Sequence, residues 1–146
     1  MEQDIIVIGG GAAGEAAGFA AAAIGTPAVL VERDLVGGEC PFWACMPSKT
    51  LLNSAAQRAC SSEYDWTHAS ARRDWMISRE AIDYPDDGGH VRRMEAAGTR
   101  VIRGEARIVG PGAVEIRGRA GAVETLRAAG VIVASGSAPF VPPIPA

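Results

Sequence analysis

A glycine-punctuated turn near the start constrains this chain more than any other feature. Ile5-Ile6-Val7-Ile8 is a continuous apolar run, which predicts a buried parallel strand. Gly9-Gly10-Gly11-Ala12-Ala13-Gly14 follows it and fits G-x-G-x-x-G. Ala12 to Ile24 reads as a helix, with Gly25 as its C-cap and Pro27 beyond. Ala28-Val29-Leu30-Val31 predicts a second buried strand, ending at Glu32, 18 residues after Gly14. Strand, helix and strand within about 30 residues make one βαβ unit with a right-handed crossover. The glycine string alone is a weak signal, but between a strand and a helix it is a dinucleotide fingerprint. Gly9 permits the tight turn, Gly11 lets the backbone approach a pyrophosphate, and Gly14 lets the helix sit close to the strand. The free N–H groups at the helix start then face the phosphates. Glu32 can accept hydrogen bonds from ribose hydroxyls. A carboxylate there repels a 2′-phosphate and argues against NADP at this site, while FAD and NAD both remain open.

The rest of the chain extends an α/β pattern. Residues 33–39 read as a loop containing Gly37-Gly38. From Cys40 to about Cys60 the pattern is helical, with Pro47 tolerated near a helix start or a kink. Residues 61–97 are polar, carry Trp66 and Trp75, and read as loop and helix. Arg100-Val101-Ile102-Arg103 predicts a strand. Stretches 105–109, 113–117 and 122–126, split by turns at Gly110-Pro111-Gly112 and Gly118 to Gly121, predict a β-meander. Val131-Ile132-Val133-Ala134 predicts another buried strand, halted by Ser135-Gly136-Ser137. Pro139 to Pro145 is proline-rich and reads as a linker.

Composition narrows the partners. With 146 residues, 48% of them hydrophobic and 21% charged, the chain has one domain's worth of material and enough apolar content for a core. A net charge of −3 without a basic stretch argues against nucleic acid. There is no cationic, secretory-type leader, and Ala16 to Ile24 is too short to span a bilayer, so a cytoplasmic protein with no membrane association is expected. Of 14 cationic side chains 13 are Arg; the one lysine, Lys49, lies four residues after Cys45. A compact charge with a tunable pKa suits a role that Arg cannot fill.

Cys40 and Cys45 stand in Gly37-Gly38-Glu39-Cys40-Pro41-Phe42-Trp43-Ala44-Cys45-Met46-Pro47-Ser48-Lys49. In an ideal helix positions i and i+5 are roughly 8–9 Å apart, whereas a disulfide needs Cα atoms about 4.4–6.8 Å apart. A bond between the two therefore requires a distorted first turn, with which Pro41 and Pro47 are compatible. Such a bond would be reducible, and a helix N-terminus would lower a cysteine pKa. Three other readings remain at this point. A zinc site lacks the paired ligand spacing, since His68 and His90 are distant. Two free core cysteines are the second, and a purely structural disulfide, which a cytosolic setting disfavours, is the third. Cys60 reads as a small buried hydrophobe.

Taken in order, these motifs resemble the start of the flavin disulfide reductases, a family that includes dihydrolipoamide dehydrogenase, mercuric reductase and glutathione reductase. The resemblance is carried by the phosphate loop, Glu32-Arg33, Gly-Gly-Glu-Cys-x4-Cys-Met-Pro-Ser-Lys and Val-Ala-Ser-Gly-Ser-Ala-Pro. It covers essentially the whole chain and is weakest across 61–97. The Pro-Ser-Lys ending is closer to the dihydrolipoamide and mercuric branches. It implies a Rossmann-like FAD-binding domain over 1–138, incomplete on its C-terminal side, with 139–146 as a linker toward an absent NAD(P)-binding domain. FAD would be the cofactor, with Gly9, Gly11, Ala12, Ala13, Gly14, Glu32, Arg33 and Gly38 around its adenosine and pyrophosphate. Ala106 would present backbone to the adenine, and Ser135 and Gly136 would lie near the flavin, where the family often has Thr-Gly.

The resemblance also assigns chemistry. Cys45 would be the thiol beneath the flavin ring, Cys40 the thiol that exchanges with substrate, and Lys49 a cation near flavin N5. NAD(P)H would be the donor, and a disulfide or dithiol such as lipoamide the substrate. No second G-x-G-x-x-G and no later His–Glu pair are present. His68 and His90 match no family motif and are expected to be solvated surface residues. A sheet edge normally covered by the missing parts is expected to stand open. A longer, homodimeric reductase is thus expected to contain this chain. The alternative is a non-catalytic dinucleotide-binding module or an inactive truncation.

Overall fold

A computed structural model of the chain describes residues 2–26, 28–59, 65–79, 85–138 and 140–144. Strand β1 (Glu2–Ile8) leads into helix α1 (Ala12–Ala23) and strand β2 (Ala28–Glu32). Helices α2 (Glu39–Phe42), α3 (Cys45–Arg58), α4 (Trp66–Ser78) and α5 (Gly88–Ala96) follow. Strands β3 (Thr99–Arg103), β4 (Glu105–Gly110), β5 (Ala113–Arg117) and β6 (Val123–Val133) complete the order. Among the described residues the strands form one sheet, ordered β3-β2-β1-β6-β5-β4. Strands β3, β2, β1 and the second half of β6 run parallel. Strands β4, β5 and the first half of β6 form the antiparallel meander. The expected Rossmann-like architecture is the one observed.

Strand alternation accounts for two cores. Successive side chains of β1 point to opposite faces. Ile6 joins Val29, Val31, Val114, Ile116 and Leu126, so the meander packs over one face of the parallel strands. Val7 joins Leu30, Val36 and Met94 on the other face, against α1 and α5. Each of these fully buried side chains contributes about 1.5–3 kcal/mol of transfer free energy. Helix α1 ends in a Schellman arrangement: Gly25 N donates to Ala22 O and Thr26 N to Ala21 O, with Gly25 at φ +71°.

The structure departs from the sequence reading in three places. The strands expected at 122–126 and 131–134 are one eleven-residue strand, β6. Arg127 and Gly130 look like an interruption, but Arg127 pairs with Ala113 on one side and Glu2 on the other, and Gly130 pairs with Ile5. Beyond Ala128, whose N–H still reaches Gly112 O, none of the described strands pairs with β6 on the side away from β1. The helix expected from Cys40 onward is split into α2 and α3. Trp43 and Ala44 N–H both turn back to Glu39 O, and Ala44 takes φ −125°, ψ −89°, which no helix continues through.

The histidines are the third departure. His68 is exposed and bonded to the capping Asp65, as a surface residue should be. His90 is not a surface residue: it is half-buried and bonded to Glu15, 75 positions away. Cys60 lies outside the described residues. Residues 140–144 carry no regular element and are exposed. Among the described residues no helix is long and apolar enough to cross a membrane.

Candidate dinucleotide and dithiol site

The carboxyl ends of the parallel strands open into one cleft of about 510 Å³, the position where doubly wound sheets take their ligands. Ile8 and Gly9 come from the end of β1, Val31 and Glu32 from β2, and Ala134 to Ser137 from the segment after β6. Gly104, Glu105 and Ala106 form the wall at the start of the meander. Asp34, Leu35 and Gly38 close the loop side, and Glu39 and Trp43 of the α2 turn supply the remaining wall.

The glycine turn is shaped by contact. A Cβ on Gly14 would overlap Gly9 O, and a Cβ on Gly9 would overlap Ala134 O. Gly11 is different, because its nearest neighbour in the Cβ direction is Gly38 Cα at 3.9 Å. That space is open, and Gly11 lines the cleft. Helix α1 starts there with no side-chain cap, so its first-turn N–H groups remain available to an anion. An uncapped helix start beside an open glycine fits a pyrophosphate.

Glu32 is more occupied than its sequence position suggests. Its Oε2 accepts the Gly10 N–H and its Oε1 accepts the Asp34 N–H, both at 2.6 Å. An ionised carboxylate has about four lone-pair sites, so capacity remains for ribose hydroxyls in the cleft. The adjacent loop is braced from outside: Asp87 accepts the Val36 N–H at 2.6 Å and pairs with Arg103, whose Nη1 donates to Asp34 O.

Breaking the helix brings the two sulfurs together. Cys40 and Cys45 are exposed free thiols. The Cys40 thiol is held above its ordinary value, first by its hydrogen bond with Cys45, then by desolvation and by the neighbouring negative charge. The Cys45 backbone N–H acts in the opposite sense. For Cys40 this reverses the expected lowering: α2 is a four-residue turn with little dipole, and the contact between the sulfurs outweighs it. Among the described residues no group of three or more potential ligands could hold a metal, zinc included.

Of the residues singled out from sequence, Gly9, Gly11, Glu32, Arg33, Gly38, Ala106, Ser135 and Gly136 line the cleft together. Ala12 and Ala13 are exposed on the first turn of α1, and Gly14 is buried behind it. Cys40, Cys45 and the exposed Lys49 are not in the lining, although Glu39 and Trp43, which flank Cys40 in sequence, are. Sequence reasoning missed Glu39, Trp43 and Glu105 in the wall, and Asp87 and Arg103 in the brace. A tryptophan between two closely spaced cysteines was the one local signal available.

Comparison with known proteins agrees with this geometry. The family model for pyridine nucleotide-disulphide oxidoreductases matches residues 3–146. Dihydrolipoyl dehydrogenase of Acholeplasma laidlawii is 31% identical, over 99% of this chain and 44% of its own length. The mitochondrial dihydrolipoyl dehydrogenase of Caenorhabditis elegans is 33% identical, over 94% of this chain and 29% of its own. The chain thus spans less than half the length of these relatives. In structure it resembles an HOCl-induced flavoprotein disulfide reductase of Escherichia coli, solved as a Cu(II) complex, with a TM-score of 0.78 at 21% identity, covering 99% of this chain and 31% of that one. With a family match across nearly its whole length, the chain belongs to the pyridine nucleotide-disulphide oxidoreductases.

Proposed function

We propose that this chain is the FAD-binding, thiol-bearing part of a disulfide oxidoreductase. The family binds FAD, with NAD(P)H as electron donor. One observation carries the reading: the α2 turn gives the cleft a wall through Glu39 and Trp43 while holding the Cys40 thiol against Cys45. In this reading the first turn of α1, with Gly9, Gly11, Ala12, Ala13 and Gly14, holds the pyrophosphate. Glu32 and Arg33 hold the adenosine ribose, and Ala106 lies by the adenine. Gly38, Ser135 and Gly136 complete the cleft. FAD, when bound, supplies the two-electron centre with which the thiol pair exchanges electrons.

The thiol chemistry belongs to the chain itself. Cys40, as thiolate, attacks a substrate disulfide sulfur, forming a mixed disulfide and releasing one substrate thiolate. Cys45 then attacks the Cys40 sulfur, which closes Cys40–Cys45 and releases the second thiolate. Two electrons leave the dithiol, and its two protons go to the released thiolates. Lys49, one turn after Cys45, supplies a positive charge on that side of α3.

The substrate class is a disulfide or dithiol, lipoamide being the first to test. Residues 1–138 act as the flavin domain and 139–146 as a linker within a longer, homodimeric, cytoplasmic enzyme. The decisive experiment loads the chain with FAD and reduces it. A yellow protein whose long-wavelength charge-transfer absorption appears on reduction, and is lost in Cys45→Ser, supports the reading. Flavin uptake without that band removes the dithiol role.

A further inference from the structure

The geometry points to His90 as a positioning residue that ties the cysteine-bearing turn to the helix of the phosphate loop, an inference that rests on the functional reading above. Three contacts of one ring make the case. His90 Nδ1 donates to Glu15 Oε1 at 2.8 Å, in a pair whose side chains are only 24% and 13% exposed. The ring lies against Gly37, where a Cβ would stand 3.0–3.1 Å from three ring atoms. It also meets Phe42 edge-on, with centroids 5.8 Å apart and planes at 64°.

Each contact belongs to a different part of the site. Glu15 lies in the first turn of α1, and its N–H donates to Gly11 O at 2.9 Å. Gly37 N donates to Gly10 O at 2.7 Å, so the double-glycine loop is already joined to the phosphate loop. Phe42 is the one buried residue of α2, the turn that holds Cys40. Whatever fixes Phe42 therefore fixes the cysteine turn. An apolar side chain would fill this space without the desolvation cost of an ionisable pair. The polar link instead sets the ring in one orientation relative to α1. An anion that orders the first turn of α1 orders Glu15, through it His90, and through the ring the Phe42 anchor of Cys40.

ADP tests this, because it carries the adenosine and pyrophosphate alone. In the native chain, saturating ADP should slow iodoacetamide alkylation of Cys40, followed by peptide mass, by roughly fivefold, the lower end of ordinary site-to-site coupling. His90→Phe keeps a ring against Gly37 and Phe42 but removes the link to Glu15. It should fold and bind ADP while losing the slowing. Glu15→Gln keeps an acceptor and should retain the effect, whereas Glu15→Ala should lose it. Slowing that survives His90→Phe, or a native chain whose Cys40 does not respond to ADP, overturns the proposal. Flavin uptake, read separately by absorbance, reports on the functional reading. A chain that couples ADP to Cys40 yet takes up no FAD keeps His90 in this role and overturns that reading.

Discussion

Gly10 and Glu32 are joined directly, the glycine N–H donating to the Glu32 carboxylate at 2.6 Å. The acid at the tip of β2 is therefore a strut of the glycine turn as well as a candidate ribose ligand. Glu32→Ala removes the carboxylate to which both the Gly10 and the Asp34 N–H groups donate and should destabilise the fold by about 1.5–3 kcal/mol, the worth of a hydrogen bond to a charged group. Glu32→Gln keeps one acceptor oxygen and should lose less. Urea midpoints measure the stability. Flavin stoichiometry, which should fall in both variants, measures the site.

Two glycines three residues apart should behave in opposite ways. Gly14→Ala drives a Cβ into Gly9 O. That backbone clash has no side chain to yield and should cost about 1–3 kcal/mol or more. Gly11 has φ −73°, which alanine adopts freely, and open space in front of it. Gly11→Ala should melt with the native chain yet bind FAD more weakly, because the new methyl group occupies the cleft. Thermal unfolding paired with flavin titration separates the two effects; equal losses of stability would refute the distinction.

The thiols give a pH signature. Cys40 lies above its ordinary value of 9.0, with the Cys45 hydrogen bond as the largest cause. A raised value favours the neutral thiol, so the Cys40 contribution to stability is present below the unfolded value and is lost as pH rises through the folded one. Its alkylation rate should reach half of its plateau above pH 9.0. Cys45→Ala removes the leading cause and should move that midpoint downward. An unchanged midpoint would show that Cys45 does not set it.

Met94 is the largest side chain that α5 buries, at 0% exposure, with its Cε against Gly18 of α1. Met94→Ala should cost about 2–5 kcal/mol through the cavity it leaves. Because Val36 packs in the same cluster, the loop beside the cleft should loosen too. Hydrogen exchange at the Val36 N–H, held by Asp87, reports on that loosening.

How much of this was legible in the sequence follows from where each signal lives. The β1–α1–β2 unit announces itself because β1 and β2 are buried on both faces and therefore read as unbroken apolar runs. Helix α4 buries no residue, so it has no apolar stripe to read, only the cap in which Asp65 accepts the His68 N–H. The continuity of β6 was hidden because Arg127 and Gly130 resemble a turn until their partners on β1 and β5 are known. The break at Ala44 is a backbone conformation that the residue type does not signal. The cleft glycines and Glu32 were legible because their motif is local. His90 was not, because its partner lies 75 residues earlier.

Strand β6 belongs to both layers at once. Its first residues pair with β5, its last pair with β1, and Ala134 N then donates to Ile8 O at the floor of the cleft. The hairpin at Gly118–Gly121 and the bottom of the cleft are thus opposite ends of a single stiff rod. An insertion or label at that hairpin is not a neutral handle, since any twist it imposes is delivered to Ala134, which bears directly on Gly9. Reporters meant to leave cofactor uptake undisturbed belong on the exposed face of α4, a helix that packs mainly against α3.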